Sequence, residues 1–176
     1  MMKAVVDTNV LLVADRQHSD VTPECVLACT DRLEALKQNG QVVIDDGYRI
    51  ISEYQNKIDA VRGRGMGTAF LKWLLNNKSN PDRVEQVHIT PVDEHRFAEF
   101  PDADLERVFD APDRKFVAVA NKHPEKPPIW QAADSKWLDW WSALQEHGIQ
   151  VKFLCPDDVM RFYRKKFPDK EIPALP

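Results

Sequence analysis

Lys3-Ala4-Val5-Val6-Asp7-Thr8-Asn9-Val10-Leu11-Leu12-Val13-Ala14 decides the reading of the chain. Lys3 to Val6 reads as a short buried strand, Asp7 stands at its exit, and the apolar run from Val10 opens a helix. A parallel α/β sheet gathers the C-terminal ends of its strands along one edge, where ligands bind at the topological switch point. Glu53, Asp113 and Asp134 also fall at or just past the place where an apolar run gives way to a helix-like pattern. Four carboxylates brought to one edge suit hard divalent cations.

Working outward, apolar runs alternate with helical patterns in the order of βα units, which predicts a three-layer α/β/α sandwich. A short helix and loop are expected over Leu11 to Asp20. Thr22-Pro23-Glu24 opens a second helix with an N-cap, a proline at N1 and an early acid, closing near Gly40. Gln41 to Ile44 is the second strand. Asp45-Asp46-Gly47 turns into a helix carrying Ile50, Ile51, Tyr54, Ile58 and Val61 at helical spacing, with Glu53 on it. Gly63-Arg64-Gly65-Met66-Gly67 precedes a helix around Phe70 to Leu75, and residues 62–80 read as a helical insert or lid. Gln86 to Thr90 is strand three, Asp113 to Asn121 a helix, Pro128 to Ala132 strand four, Ser135 to Gln145 a helix and Gln150 to Leu154 strand five. Asp157 to Lys166 forms the last helix. The domain thus spans 1–166, and 167–176, with three prolines, reads as an irregular tail.

The 176 residues suit one domain. With 43% hydrophobic and 30% charged residues the composition is that of a soluble globular chain, and apolar stretches such as Val10 to Ala14 fall far short of the roughly 18 residues of a membrane helix. No membrane partner is expected. The N-terminus lacks the pattern of a secretion signal, which places the chain in the cytoplasm. Cys25, Cys29 and Cys155 form neither an even disulfide set nor paired CxxC motifs, so they read as reduced, mostly buried thiols, with a zinc site disfavoured. A net charge of −4 gives no global attraction to a polyanion, so nucleic-acid contact requires a local basic patch and bound cations.

Each acid also has a plainer explanation. Asp113 and Asp134 occupy first-turn or cap positions, Asp7-Thr8 can cap the first helix, and Glu53 can be a solvated helix residue. The conjunction of the four favours the metal. Helix pitch sets Asp46 and Glu53, seven residues apart, on one face, turning Glu53 inward beside Asp7. Like charges held that close raise a pKa unless a cation neutralises them.

These residues resemble the PIN-like nuclease domains. Val5-Val6-Asp7-Thr8-Asn9-Val10-Leu11 resembles the family's opening motif, Glu53-Tyr54 its helix-borne second acid, Asp113-Arg114-Lys115-Phe116-Val117-Ala118-Val119-Ala120 its third, and Ala133-Asp134-Ser135-Lys136-Trp137 its fourth. The resemblance spans most of residues 3 to 155. It implies a five-stranded parallel sheet in the order 3-2-1-4-5 and Mg²⁺- or Mn²⁺-dependent endonuclease activity, on RNA more than on DNA, leaving a 5′-phosphate and a 3′-hydroxyl. It casts Asp7, Glu53 and Asp113 as direct or water-bridged metal ligands, Asp134 as a further ligand or outer-sphere acid, and Asn9 as a polar organiser. One departure falls at the fourth acid: the family often carries a hydroxyl residue one or two places before it, where this chain has Ala132 and Ala133.

The remaining features carry less. Arg62, Arg64, Lys72 and Lys78 surround the glycine-rich segment, and Arg62 and Arg64 are the candidate nucleic-acid contacts, against a reading as solvated charges. Arg114 and Lys136 are expected to pair with carboxylates. Trp137, Trp140, Trp141 and Leu144 follow a helical core pattern, the five histidines show no metal-ligand spacing, and Arg161, Arg164, Lys165 and Lys166 form a solvated face. The leading function is a nuclease, as a toxin or defence effector with an antitoxin or other protein partner and a possible homo-oligomer. The alternative is a non-catalytic interaction module using the acidic edge or the tail. A phospho-accepting receiver domain falls behind because a single Asp7 stands where paired acids are expected. A haloacid-dehalogenase-type phosphatase falls behind because Asn9 occupies the place of its second Asp.

Overall fold

Continuous apolar strands belong in a sheet covered on both faces, and that is where they lie in the computed structural model, which describes residues 1–59 and 63–176. The strands are β1 (Met2–Val6), β2 (Gly40–Asp45), β3 (Val84–Val87), β4 (Ile129–Gln131) and β5 (Val151–Phe153). They pair in parallel in the order 3-2-1-4-5. Ala4 to Val6, Val42 to Asp45 and Ile129 to Gln131 are buried, as a central parallel sheet requires.

The helices are α1 (Thr8–Ala14), α2 (Pro23–Asn39), α3 (Arg49–Lys57), α4 (Met66–Asn77), α5 (Ala103–Val108), α6 (Arg114–Lys122), α7 (Trp141–Glu146) and α8 (Pro156–Lys166). α1, α2 and α4 pack on one another, while α6 covers β1, β2 and β4. The architecture is the expected three-layer α/β/α sandwich, with β1 central and the order reversing beside it. α2 begins as its sequence dictates: the Thr22 hydroxyl accepts from the Cys25 amide and Pro23 holds the first turn.

Several boundaries differ from expectation. β3 lies two residues earlier, because Val84 to Val87 are the residues that pair with Val42 to Asp45; Ile89 is buried without being in the strand. The helix expected over Ser135 to Gln145 breaks into a 3-10 turn (Ser135–Asp139) and α7, with Trp137 and Leu144 buried as core. Met66 to Asn77 forms the helix expected within residues 62–80 and packs on the core: Phe70, Leu71 and Leu74 are buried, and Gly67 lies so close to the Leu11 carbonyl that any side chain there would collide with the backbone of α1. Val61 and Arg62 lie outside the described residues. No helix among the described residues is long and apolar enough to cross a membrane. The tail has no regular structure but is docked: Phe167, Ile172 and Leu175 pack against Leu138, Val159 and Tyr163, and Trp141 Nε1 donates to the Ala174 carbonyl at 2.9 Å.

The cysteines need a larger correction. They are buried, as expected, but Cys25 and Cys155 are joined in a disulfide across a sequence separation of 130 residues, leaving Cys29 as the thiol. The pairing follows from the docking of α8 on the start of α2, where the buried Asp158 carboxylate accepts from the Thr22 amide (2.7 Å) and hydroxyl (2.9 Å). Burial, and then Asp158, push the Cys29 thiol up to about 12, so it stays protonated and slow to exchange although its sulfur is 3.8 Å from that of Cys155. A cross-link closing so long a loop should stabilise the fold by about 2 to 4 kcal/mol. Urea unfolding of the oxidised protein, its reduced form and Cys25→Ser should show that loss, and superimposable curves would mean that the bond constrains nothing.

Candidate active site

β1 delivers Asp7 to the ligand edge. The Asp7 amide donates to the Trp130 carbonyl at 3.0 Å, which fixes the end of β1 against β4, and one carboxylate oxygen accepts from the Asn9 amide at 2.9 Å as the N-cap of α1. Capping therefore accounts for half of this side chain. The other oxygen, Oδ2, is buried with no hydrogen-bond partner among the described residues, on a residue only 4% exposed. An ionised oxygen left in that state is costly.

α3 brings the second acid. Tyr54, fully buried, donates its hydroxyl to the Val6 carbonyl, and the Thr8 hydroxyl donates to Glu53 Oε2 at 2.8 Å, so two successive residues of α3 are pinned, one to the end of β1 and one to the start of α1. The route differs from the one expected: Asp46 lies in the turn before α3, paired at 3.1 Å with His88, so the seven-residue helical spacing does not apply. Lys115 of α6 reaches the same carboxylate, with Nζ 3.0 Å from Glu53 Oε2, and also donates to the Pro112 carbonyl.

Asp113 closes the 3-10 turn Ala111–Asp113 and stands at the N-cap of α6, yet its side chain makes no capping hydrogen bond. The cap explanation fails there. Asp134 does cap the turn that follows it, through the Lys136 amide at 3.2 Å. Lys136 itself pairs with Asp110 at 2.7 Å, a carboxylate partner as expected, whereas Arg114 donates to the Phe109 carbonyl at 3.1 Å. Asn9 ties the segment before Asp134 to α1: Nδ2 donates to Gln131 Oε1 at 2.5 Å, and Oδ1 accepts from the Ala132 amide at 2.9 Å. Gln131 Nε2 is buried and also unpaired among the described residues.

The electrostatics bind the four acids into one group. Burial first, then Asp113, Asp134 and Glu53, push the Asp7 carboxyl well above the usual carboxylate range, against the Asn9 bond that favours its ionised form. Burial, then Asp134, Glu53 and Asp110, raise Asp113 to about 7, with Lys115 opposing. Burial raises Asp134 as well, and Tyr54 is pushed up by burial, Asp7 and Glu53.

Thr8, Tyr54, Lys115 and Gln131 complete the site and were not singled out for it by the sequence. Arg64 does not join it. Arg64 lies beside Asp15 and Gly65 at the C-terminal end of α1, about 10 Å of helix away from Asp7; Arg62 is outside the described residues.

The donor set fits a hard cation that keeps much of its own water. Among the described residues, the three His, Cys, Asp or Glu ligand atoms lying within 4.8 Å of one another are the sulfurs of Cys25, Cys29 and Cys155, so the acids do not form a closed three-carboxylate chelate. Mg²⁺ does not require one, since it binds through one or two carboxylates and retains several waters. Asp7 Oδ2 is the oxygen most in need of such a partner. Compared with protein-family models, curated proteins and solved structures, the chain has no match in any of the three.

Proposed function

We propose that the protein is a Mg²⁺- or Mn²⁺-dependent nuclease, an endoribonuclease before a deoxyribonuclease. The observation that carries this reading is that Asp7, whose buried Oδ2 has no hydrogen-bond partner among the described residues, feels the charges of Asp113, Asp134 and Glu53 from three other segments. Asp7 and Asp113 would hold the cation directly or through water, Glu53 and Asp134 from the flanks. When bound, such a cation supplies Lewis acidity at the phosphoryl group and lowers the pKa of water at neutral pH. The chain's own residues hold the frame. Thr8 and Lys115 fix the Glu53 carboxylate, Tyr54 locks α3 to the end of β1, and Asn9 keeps Gln131 to Ala132 in register with α1. Asp113, raised to about 7 by burial and its acidic neighbours, would have to lose its proton to hold the cation, so metal affinity should rise with pH. An RNA-cleaving activity of this kind suits a toxin or defence effector held in check by an antitoxin-like partner.

Incubation of the purified protein with labelled single-stranded RNA and DNA in Mg²⁺, in Mn²⁺ and in chelator tests the reading. Metal-dependent cleavage is expected, faster on RNA. A second reading, a non-catalytic interaction module, is favoured by the Lys115–Glu53 ion pair, a built-in positive charge that partly does the neutralising of a metal. Absence of both cleavage and calorimetrically detectable Mg²⁺ or Mn²⁺ binding would select that module.

A further inference from the structure

α3 offers the ligand edge more than Glu53. Arg49 lies four residues before Glu53 and Lys57 four residues after it, so the three share one helical face at steps of about 6 Å along the axis. All three border an open groove of about 490 Å³, whose far wall includes Phe97, Pro112 and Lys115. The groove therefore meets the acid site at Glu53, midway between Arg49 and Lys57. Its size is that of a small-molecule site and far too small for a duplex.

The charges along this wall alternate: cation, acid, cation. A phosphate beside Glu53 is repelled unless a metal accompanies it, whereas phosphates one helical turn to either side meet Arg49 or Lys57. Arg49 is held in place for this. Its guanidinium lies 5.7 Å from the Phe97 ring centroid and 3.8 Å from the fully buried Asp45 carboxylate, while its side chain remains 39% exposed. Lys57 is exposed in the last turn of α3, and between the two cations Ser52 and Asn56 present exposed polar groups to whatever fills the groove. Glu94, on the outer rim, faces His95 at 3.8 Å.

We infer that this groove is a nucleotide subsite: a short stretch of single-stranded RNA lies along it, with the phosphates one helical turn to either side of Glu53 held by Arg49 and Lys57 and the scissile phosphate between them at the acid edge. The inference rests on the nuclease reading and moves the nucleic-acid contacts from the glycine-rich segment to α3. Arg49 and Lys57 set the register of the strand against the acids.

Fluorescence anisotropy with a short fluorescein-labelled single-stranded RNA, in Ca²⁺ to keep cation charge at the edge, tests it on the full chain, with Mn²⁺ cleavage by the parent run alongside. The variants are Lys57→Glu, Arg49→Gln and, as a control at the other end of α1, Arg64→Ala. Each lost phosphate contact should reduce the slope of log Kd against log salt by about 0.7, and Lys57→Glu should weaken low-salt binding roughly tenfold. Arg64→Ala should match the parent. A parent that binds and cleaves, with Lys57→Glu and Arg49→Gln keeping both its slope and its affinity, overturns the subsite and spares the nuclease. Lys57→Glu alone decides this if Arg49→Gln does not fold, because Lys57 is exposed. A parent that neither binds nor cleaves the strand overturns the nuclease reading and the subsite with it.

Discussion

Asp7→Asn should lower metal-dependent cleavage of RNA by a factor of about 10² to 10³, the loss typical when one preorganised electrostatic group is removed from an active site, while the chain still folds. The substitution keeps the shape of the side chain, and an Asn oxygen caps α1 as well as an Asp oxygen does, so the Asn9 amide keeps its partner. What disappears is the charge on the unpaired Oδ2. Asp113→Asn should match this loss, since Asp113 makes no capping bond and has no structural duty to confuse the result. Asp134→Asn should cost less, because one of its oxygens is committed to the Lys136 amide. Glu53→Gln is the least clean of the four, as it leaves buried Lys115 without its counter-charge. Single-turnover rates over a range of Mn²⁺ concentrations separate weakened metal binding, recovered at high metal, from lost chemistry. Undiminished cleavage by Asp7→Asn at every metal concentration would falsify the mechanism.

What the sequence reveals here is local. A run such as Lys3 to Ala14 carries its own grammar: apolar residues too few for a helix, an acid that accepts from the amide two residues on, then an apolar helical stripe. Repeated along the chain, that grammar gives the sheet, its helices and the acids at its edge. The α2 start was equally legible, because Thr22 and Pro23 act on neighbours within one turn. What it hides is long-range. Thr8 finds Glu53 across 45 residues, Tyr54 finds the Val6 carbonyl across 48, and the disulfide closes 130. Nothing in the spacing of these residues announces the partner, since tertiary packing alone chooses it. Asp46 shows the reverse error, a helical period extended through a turn where no helix exists. Composition is silent on packing within residues 63–80: a glycine that suggests mobility serves, at Gly67, to let α4 approach α1.

The metal-free protein should be less stable at pH 8 than at pH 5, and Mg²⁺ should narrow that difference. Asp113 ionises near 4 in the unfolded chain but near 7 in the folded one, because of burial and then its acidic neighbours. Between those values the native state holds a proton that the unfolded state has lost. Stability therefore falls as pH rises through that window, with a slope of up to about 1.4 kcal/mol per unit. Asp7, raised for the same reasons, adds to the loss in the same direction. In chelator, Asp7→Asn and Asp113→Asn should each flatten the decline and melt above the parent at pH 8. Added Mg²⁺ should then lift the parent by RT ln(1 + [Mg²⁺]/Kd), about 2.7 kcal/mol at a hundred times Kd, and lift the variants much less. The gain should grow with pH, because the ligands must be deprotonated to bind. If the acids serve only as helix caps, Asn replaces Asp at little cost, and the parent and both variants will share one pH profile with and without Mg²⁺. Thermal melts of the three proteins at pH 5 and pH 8, in chelator and then in excess Mg²⁺, distinguish the two cases without any knowledge of the substrate: coincident profiles would reduce the acid edge to structure.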